Sequence, residues 1–317
     1  MFSKVPFPGG GEKLSIKRGE YEFSVLTFGA ILHSFSHNDH NVVLGYDSLD
    51  GYKGSSSHMG EVVGPYANRI KNATFEMDGE VFNLEKNDGE NSLHSGSKNF
   101  GQEMWSLAGR SDSSITLSLV SPEKGGWPGV HEVMVMYYLS QEGDLTIDYS
   151  LESDKKCPFS MTNHAYFNLY GKGDARRHML TIPAEKYIDV DSSLIPVGIK
   201  SVTGTDFDFR KSTMIGQRRD GKYDNAFILS DDAPVVLENE EYILRMRTSA
   251  PAVQLYTGEY LEKEGHPEAW CDVGKFGGVC LESEYYPDFP NHGDYSGAYS
   301  IPGLVSRLTT TYRLGKK

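Results

Sequence analysis

The segment Thr162-Asn163-His164-Ala165-Tyr166-Phe167-Asn168-Leu169 holds one histidine between two amide side chains and two aromatic rings. Such a group suits proton transfer on a polyhydroxylated substrate, whose hydroxyls need hydrogen-bond partners and whose ring carbons need an apolar wall. The competing reading is a structural histidine in a strand. A second titratable group stands in Gly277-Gly278-Val279-Cys280-Leu281-Glu282-Ser283-Glu284, where an apolar run reads as a buried strand. Burying the Glu282 carboxylate is costly without a partner or a task. Glu284 shares its strand parity and competes for the same role.

Four further segments offer grips for hydroxyl groups. In Gly64-Pro65-Tyr66-Ala67-Asn68-Arg69-Ile70, Asn68 supplies two donors and an acceptor, and Arg69 a planar fork of donors. Neighbours on a regular strand face opposite ways, so these two share a pocket only where the backbone is irregular. His94, in Asn91-Ser92-Leu93-His94-Ser95-Gly96, reads as a donor to a substrate or as a loop cap. Asp224, in Tyr223-Asp224-Asn225-Ala226-Phe227, is either a turn residue or a carboxylate accepting from two adjacent hydroxyls. In Ala252-Val253-Gln254-Leu255-Tyr256, Val253 and Leu255 take one face while Gln254 and Tyr256 take the other. Gln254 is therefore either solvent-facing or a pocket amide beside an aromatic.

Strands must position these groups. Ile115, Leu117 and Leu119 alternate with polar residues, as do Val133, Val135 and Tyr137. The latter lead through Gln141-Glu142-Gly143-Asp144 into Leu145, Ile147, Tyr149 and Leu151, which predicts a hairpin. A second hairpin is predicted at Thr74–Leu84 around Asp78-Gly79, and a third joins Val235–Leu237 to Tyr242–Leu244. Arg307–Leu314 reads as the last strand. The pattern predicts an all-β chain: one large antiparallel β-sandwich over residues 1–317, with functional loops or strand ends on one face. Length alone also admits two domains. Irregular stretches around 85–105 and 259–278 are expected to carry function.

A formal net charge of −13 argues against nucleic acid and anionic membrane as partners, since both need a positive field. The N-terminus lacks a signal-peptide apolar run, and no window approaches a membrane span. Cys157, Cys271 and Cys280 form no CxxC pair and read as buried free thiols in a reducing, cytoplasmic compartment. No metal is expected, because His58, His131 and His292 have no ligand spacing behind them.

Taken in order, these segments resemble the galactose mutarotase (aldose 1-epimerase) family over about residues 20–314. The matching stretches are Tyr66–Ile70, Asn91–Gly96, Asn163–Leu169, Asp224-Asn225, Val253–Gly258 and Leu281-Glu282, with Pro287–His292 and Thr310–Arg313 behind them. The resemblance implies a large β-supersandwich, a free monosaccharide as substrate and no cofactor. It makes His164 the general acid and Glu282 the general base, with Asn68, Arg69, His94, Asp224 and Gln254 holding the sugar. Pro65 departs from the arginine that many relatives carry there, which bears on the pocket rim and on sugar preference.

Exchanging anomers needs one proton taken from the C1 hydroxyl and one given to the ring oxygen, work for two positioned proton carriers. Since a free imidazole is mostly neutral at pH 7, a nearby carboxylate is expected to favour the imidazolium of His164. Three rival readings stand beside this one. A non-catalytic carbohydrate-binding protein would not need both His164 and Glu282. An epimerase of phosphorylated hexoses would need a basic grip such as Arg176-Arg177 or Arg218-Arg219. A glycosidase would pair Glu282 with Asp224.

Overall fold

The alternation of Val133, Val135 and Tyr137 closes against Leu151, Tyr149 and Ile147 in a hairpin, His131–Leu139 paired with Asp144–Ser153. The structure, a computed structural model, describes residues 1–317 apart from 54, 231 and 262–272. That hairpin lies within a nine-stranded sheet, which also takes in Ser114–Ser121, Val235–Glu238, Tyr242–Thr248 and the long closing strand Ser306–Lys316. A six-stranded sheet runs in the spatial order Tyr166–Phe167, Val279–Glu284, Ala252–Tyr256, Asp224–Leu229, Ala184–Val190, Pro196–Ser201. A third sheet gathers five strands between Phe2 and Asn41. The paired strands are antiparallel throughout the described residues, and helical turns are confined to short 3₁₀ segments. The all-β sandwich expectation therefore holds, as do the predicted hairpins. Asp78 and Gly79 carry the positive φ values of 54° and 82° that a tight two-residue turn demands.

The core lies between the sheets. Phe23 of the five-stranded sheet stacks near Tyr137 of the nine-stranded one, and Tyr137 also donates a hydrogen bond to the Ala30 carbonyl. Phe167 and Leu281 of the six-stranded sheet are buried in the same cluster as Tyr149, Leu308 and Tyr312 of the nine-stranded one. Each such side chain contributes about 1.5–3 kcal/mol by leaving water.

Tyr312 donates to the Leu281 carbonyl at 3.0 Å, and the Ser283 and Thr310 hydroxyls meet at 2.6 Å. Ser283 thus faces the nine-stranded sheet. The period of two along Val279–Glu284 then turns Cys280, Glu282 and Glu284 to the opposite face. No helix among the described residues is long and apolar enough to cross a membrane. Cys157 and Cys280 are buried free thiols; Cys271 lies outside the described residues.

Candidate active site

That opposite face of the six-stranded sheet floors an open hollow. Gln254 stands directly across the ladder from Glu282, and Asp224 across from Tyr256, so register alone brings these side chains together. Loops supply the walls. His164 sits in the break between the short strands Thr162–Asn163 and Tyr166–Phe167, and its backbone is tied to Gly60 and Glu61 by two hydrogen bonds of 2.9 Å. His94 comes from the 85–105 stretch, immediately after Ser92–Leu93. Asn68 adopts φ +71°, the irregular backbone that lets Asn68 and Arg69 turn into the same space. All seven residues singled out from sequence, Asn68, Arg69, His94, His164, Asp224, Gln254 and Glu282, line this one hollow.

The hydrogen bonds fix what each presents. His94 Nδ1 accepts from the Asn68 backbone N–H at 3.1 Å, so the neutral ring carries its proton on Nε2 and offers a donor. Burial first, then the neighbouring His58, His164 and Arg69, hold His94 far below the ordinary histidine range. Arg69 Nε donates to Asp88 at 2.7 Å. Asp224 takes one donor from Gln254 Nε2 at 2.6 Å, and burial raises its carboxyl against the opposing pull of Arg69 and Gln254. Gln254 Oε1 has no protein partner.

His164 Nε2 lies 3.5 Å from Glu282 Oε1, and Glu282 Oε2 is buried without a protein partner. The charge state differs from the expectation. Burial, followed by the proximity of His58, lowers His164 to about 3, while burial followed by Glu284 and Asp224 pushes Glu282 well above the carboxylate range. Burial thus favours the uncharged form of each group, the protonated carboxyl and the neutral imidazole. Desolvation outweighs the attraction that was expected to create an imidazolium.

Glu284 is fully buried and outside the hollow, with both oxygens bonded by Asn68 Nδ2. The amides flanking His164 do not reach the hollow either. Asn163 donates to the Gly60 carbonyl at 2.7 Å, and Asn168 to the Gly173 and Gly277 carbonyls at 2.9 and 2.8 Å. They pin backbone rather than substrate, and Phe167 points into the core; Tyr166 alone of that segment joins His164 at the wall. Sequence reasoning missed Ser56, Ser57, His58 and Tyr260 as lining residues. They sit in loops without periodicity, where no pattern marks them. Pro65 lines a separate small hollow with Phe100 and Trp127.

Ligand atoms of His94, His164 and Glu282 lie within 4.8 Å of one another, a trio close enough for a metal ion. His94 fits this badly. Its Nδ1 is already an acceptor, so a metal at Nε2 would require a ring deprotonated at both nitrogens. The arginine pairs lie elsewhere: Arg176 is held by Asp174, Arg177 covers the Tyr170 ring, and Arg218 donates to the Thr205 carbonyl. Arg219 borders only an adjoining hollow. Arg69 is the one arginine in the pocket among the described residues.

Comparison with known proteins agrees with this geometry. A family profile described as aldose 1-epimerase matches residues 12–313. The chain is 33% identical to galactose mutarotase of Bos taurus, covering 99% of this chain and 97% of that one. It is 37% identical to aldose 1-epimerase of Escherichia coli K12, over 86% and 84% of the two chains. Among solved structures, galactose 1-epimerase from Lactobacillus acidophilus superposes with a TM-score of 0.90 at 25% identity, covering 100% of this chain and 99% of that one.

Proposed function

The chain belongs to the aldose 1-epimerase family of isomerases, and from that premise we propose that His164 and Glu282 are the proton carriers that exchange the α and β anomers of a free aldohexose such as galactose or glucose. The supporting observation is their 3.5 Å approach in the wall of one hollow that the five other residues picked from sequence also line. The pair holds one proton between them. Burial favours Glu282 as its resting place. A C1 hydroxyl donating to Glu282 favours the carboxylate, and the proton moves to His164. Glu282 then takes the C1 hydroxyl proton while His164 delivers its own to the ring oxygen. The C1–O5 bond breaks, the aldehyde turns about C1–C2, and the reverse transfers close the ring on its other face. One proton enters the pair and one leaves, so its count is unchanged.

Asn68, Arg69, His94, Asp224 and Gln254 hold the sugar hydroxyls. His94 does so as an Nε2–H donor and Asp224 through the oxygen that Gln254 leaves open. The whole chain, 1–317, acts as one unit in the cytoplasm. A single apolar cluster running from Leu14 to Leu314 supports the first point, and buried free thiols support the second. Among the described lining residues, Arg69 and the histidines are the only basic side chains, which favours an unphosphorylated sugar.

Polarimetry on freshly dissolved α-galactose and α-glucose tests the reading. Catalysed loss of rotation toward the equilibrium value supports it. Sugar binding with no rate above the spontaneous one would leave a carbohydrate-binding protein instead.

A further inference from the structure

His58 stands in the pocket wall, yet neither of the two proton carriers nor any of the five grips accounts for it. Its backbone is held at φ +50°, in the left-handed region that few residues other than glycine adopt and that recurs at functional sites. Nδ1 lies 3.0 Å from Glu61 Oε2. Glu61 is wholly buried, and its other oxygen accepts from Gln102 Nε2. A Cβ on Gly101 would come within 2.3 Å of Glu61 Oε2, so that position stays bare to admit the carboxylate. The backbone bonds that tie Gly60 and Glu61 to His164 fix the same loop beside the proton carriers. A carboxylate buried at such cost, with one imidazole on the pocket wall as its partner, is a device for orienting that imidazole.

The orientation has a definite chemical result. In the tautomer that donates Nδ1–H to Glu61, His58 carries its lone pair on Nε2, where no hydrogen bond to a protein group is found among the described residues. The neighbouring His94, with ring centres 4.9 Å apart, presents the opposite polarity, an Nε2–H donor. A hydroxyl both donates and accepts, so an acceptor and a donor side by side form a complementary seat for one hydroxyl or for two adjacent ones. We propose that His58, oriented by Glu61, is a further sugar-binding residue whose Nε2 accepts a hydrogen bond from one particular hydroxyl of the aldose, and that it thereby contributes to sugar preference. Glu61 acts as a positioning residue. The inference rests on the mutarotase reading above and deepens it.

The test is a cycle between protein and substrate. Polarimetric kcat and KM are measured for wild type, His58→Ala, His58→Gln and Glu61→Gln on galactose and on its 2-, 3-, 4- and 6-deoxy analogues. His58→Ala should raise KM for galactose about tenfold with kcat within about threefold, the scale of one lost hydrogen bond. That penalty should vanish on the single analogue lacking the hydroxyl that His58 reads. Glu61→Gln keeps the packing; with its oxygen accepting from Gln102 Nε2 it turns an N–H toward Nδ1, which favours the His58 proton on Nε2 and should reproduce the same selective loss. His58→Gln carries an acceptor oxygen and should recover part of it. An equal penalty on every analogue, or a fall in kcat at constant KM, overturns the proposal. Should circular dichroism show His58→Ala unfolded, Glu61→Gln and His58→Gln decide by the same criterion. Failure of the underlying reading shows separately, as wild type that does not speed mutarotation of any sugar.

Discussion

Asn68 Nδ2 reaches both oxygens of Glu284, at 3.1 and 3.4 Å, so one of two carboxyls on a single strand face is taken by the protein itself. Glu282, two positions earlier, keeps one oxygen near His164 and the other without a protein partner. Strand parity could not choose between them. The Asn68 amide does, because one donor of its Nδ2 is spent on Glu284 while Glu282 is left to the pocket.

Glu282→Gln is accordingly expected to lower polarimetric mutarotation by at least about a hundredfold, the low end for a lost proton carrier. Glu284→Gln should keep turnover within a few-fold. It should lose about 1–2 kcal/mol of stability in denaturant titration, because one amide donor then lacks an acceptor. Abolished turnover in Glu284→Gln with intact folding would reverse the choice of carboxyl.

His164→Asn should cost a similar factor of about a hundred or more. The pH profile of wild-type kcat/KM carries further information. The pair works with one proton. His164, lowered to about 3, gains a second only in strong acid, and Glu282, raised by burial, gives up its own only above the carboxylate range. The rate constant, corrected for the spontaneous reaction, should therefore not fall between pH 7 and 5. A decline centred near the ordinary histidine value of about 6.5 would show that His164 is not held neutral.

Much of this site was readable before the fold was known, for a physical reason. Period-two alternation assigns faces, so Gln254 could be set apart from Val253 and Leu255, and Glu282 from Leu281. The hairpins at Asp78-Gly79 and Gln141–Asp144 followed from turn chemistry in the same way. What escaped depended on contacts between distant segments. Asn163 and Asn168 suggested substrate amides, yet their partners are carbonyls of Gly60, Gly173 and Gly277. His58 lay in a serine-rich loop, and its buried partner Glu61 gave no pattern to read. The raised proton affinity of Glu282 depends on depth of burial, which composition and spacing do not contain.

Arg69 offers its fork to the pocket only while Nε is braced by Asp88 at 2.7 Å. Lysine keeps the charge but neither the plane nor the brace. Arg69→Lys should raise KM about tenfold with a smaller effect on kcat, and Asp88→Asn should raise it about threefold, each step being the size of one weakened hydrogen bond. Unchanged KM in both variants would remove Arg69 from the set of sugar grips.

His178 is fully buried, accepts from the Leu169 N–H at Nε2 across 2.9 Å, and donates from Nδ1 to the Ala175 carbonyl at 2.6 Å. Both nitrogens are committed in the neutral form, and a second proton would destroy the Leu169 bond. Burial, its main cause, lowers the folded value to about 4, against an unfolded value of about 6.5. The unfolded chain therefore binds this proton first. Stability from a neutral His178 is complete above pH 6.5 and is lost as pH falls toward 4, by about 3 kcal/mol in all. Glutamine can donate to Ala175 and accept from Leu169 without titrating. His178→Gln should be less stable than wild type at pH 7.5 because its packing is imperfect. Between pH 7.5 and 5 it should lose about 2 kcal/mol less than wild type does in guanidinium chloride titrations. Parallel pH slopes for the two proteins would show that His178 is not held neutral by its two bonds.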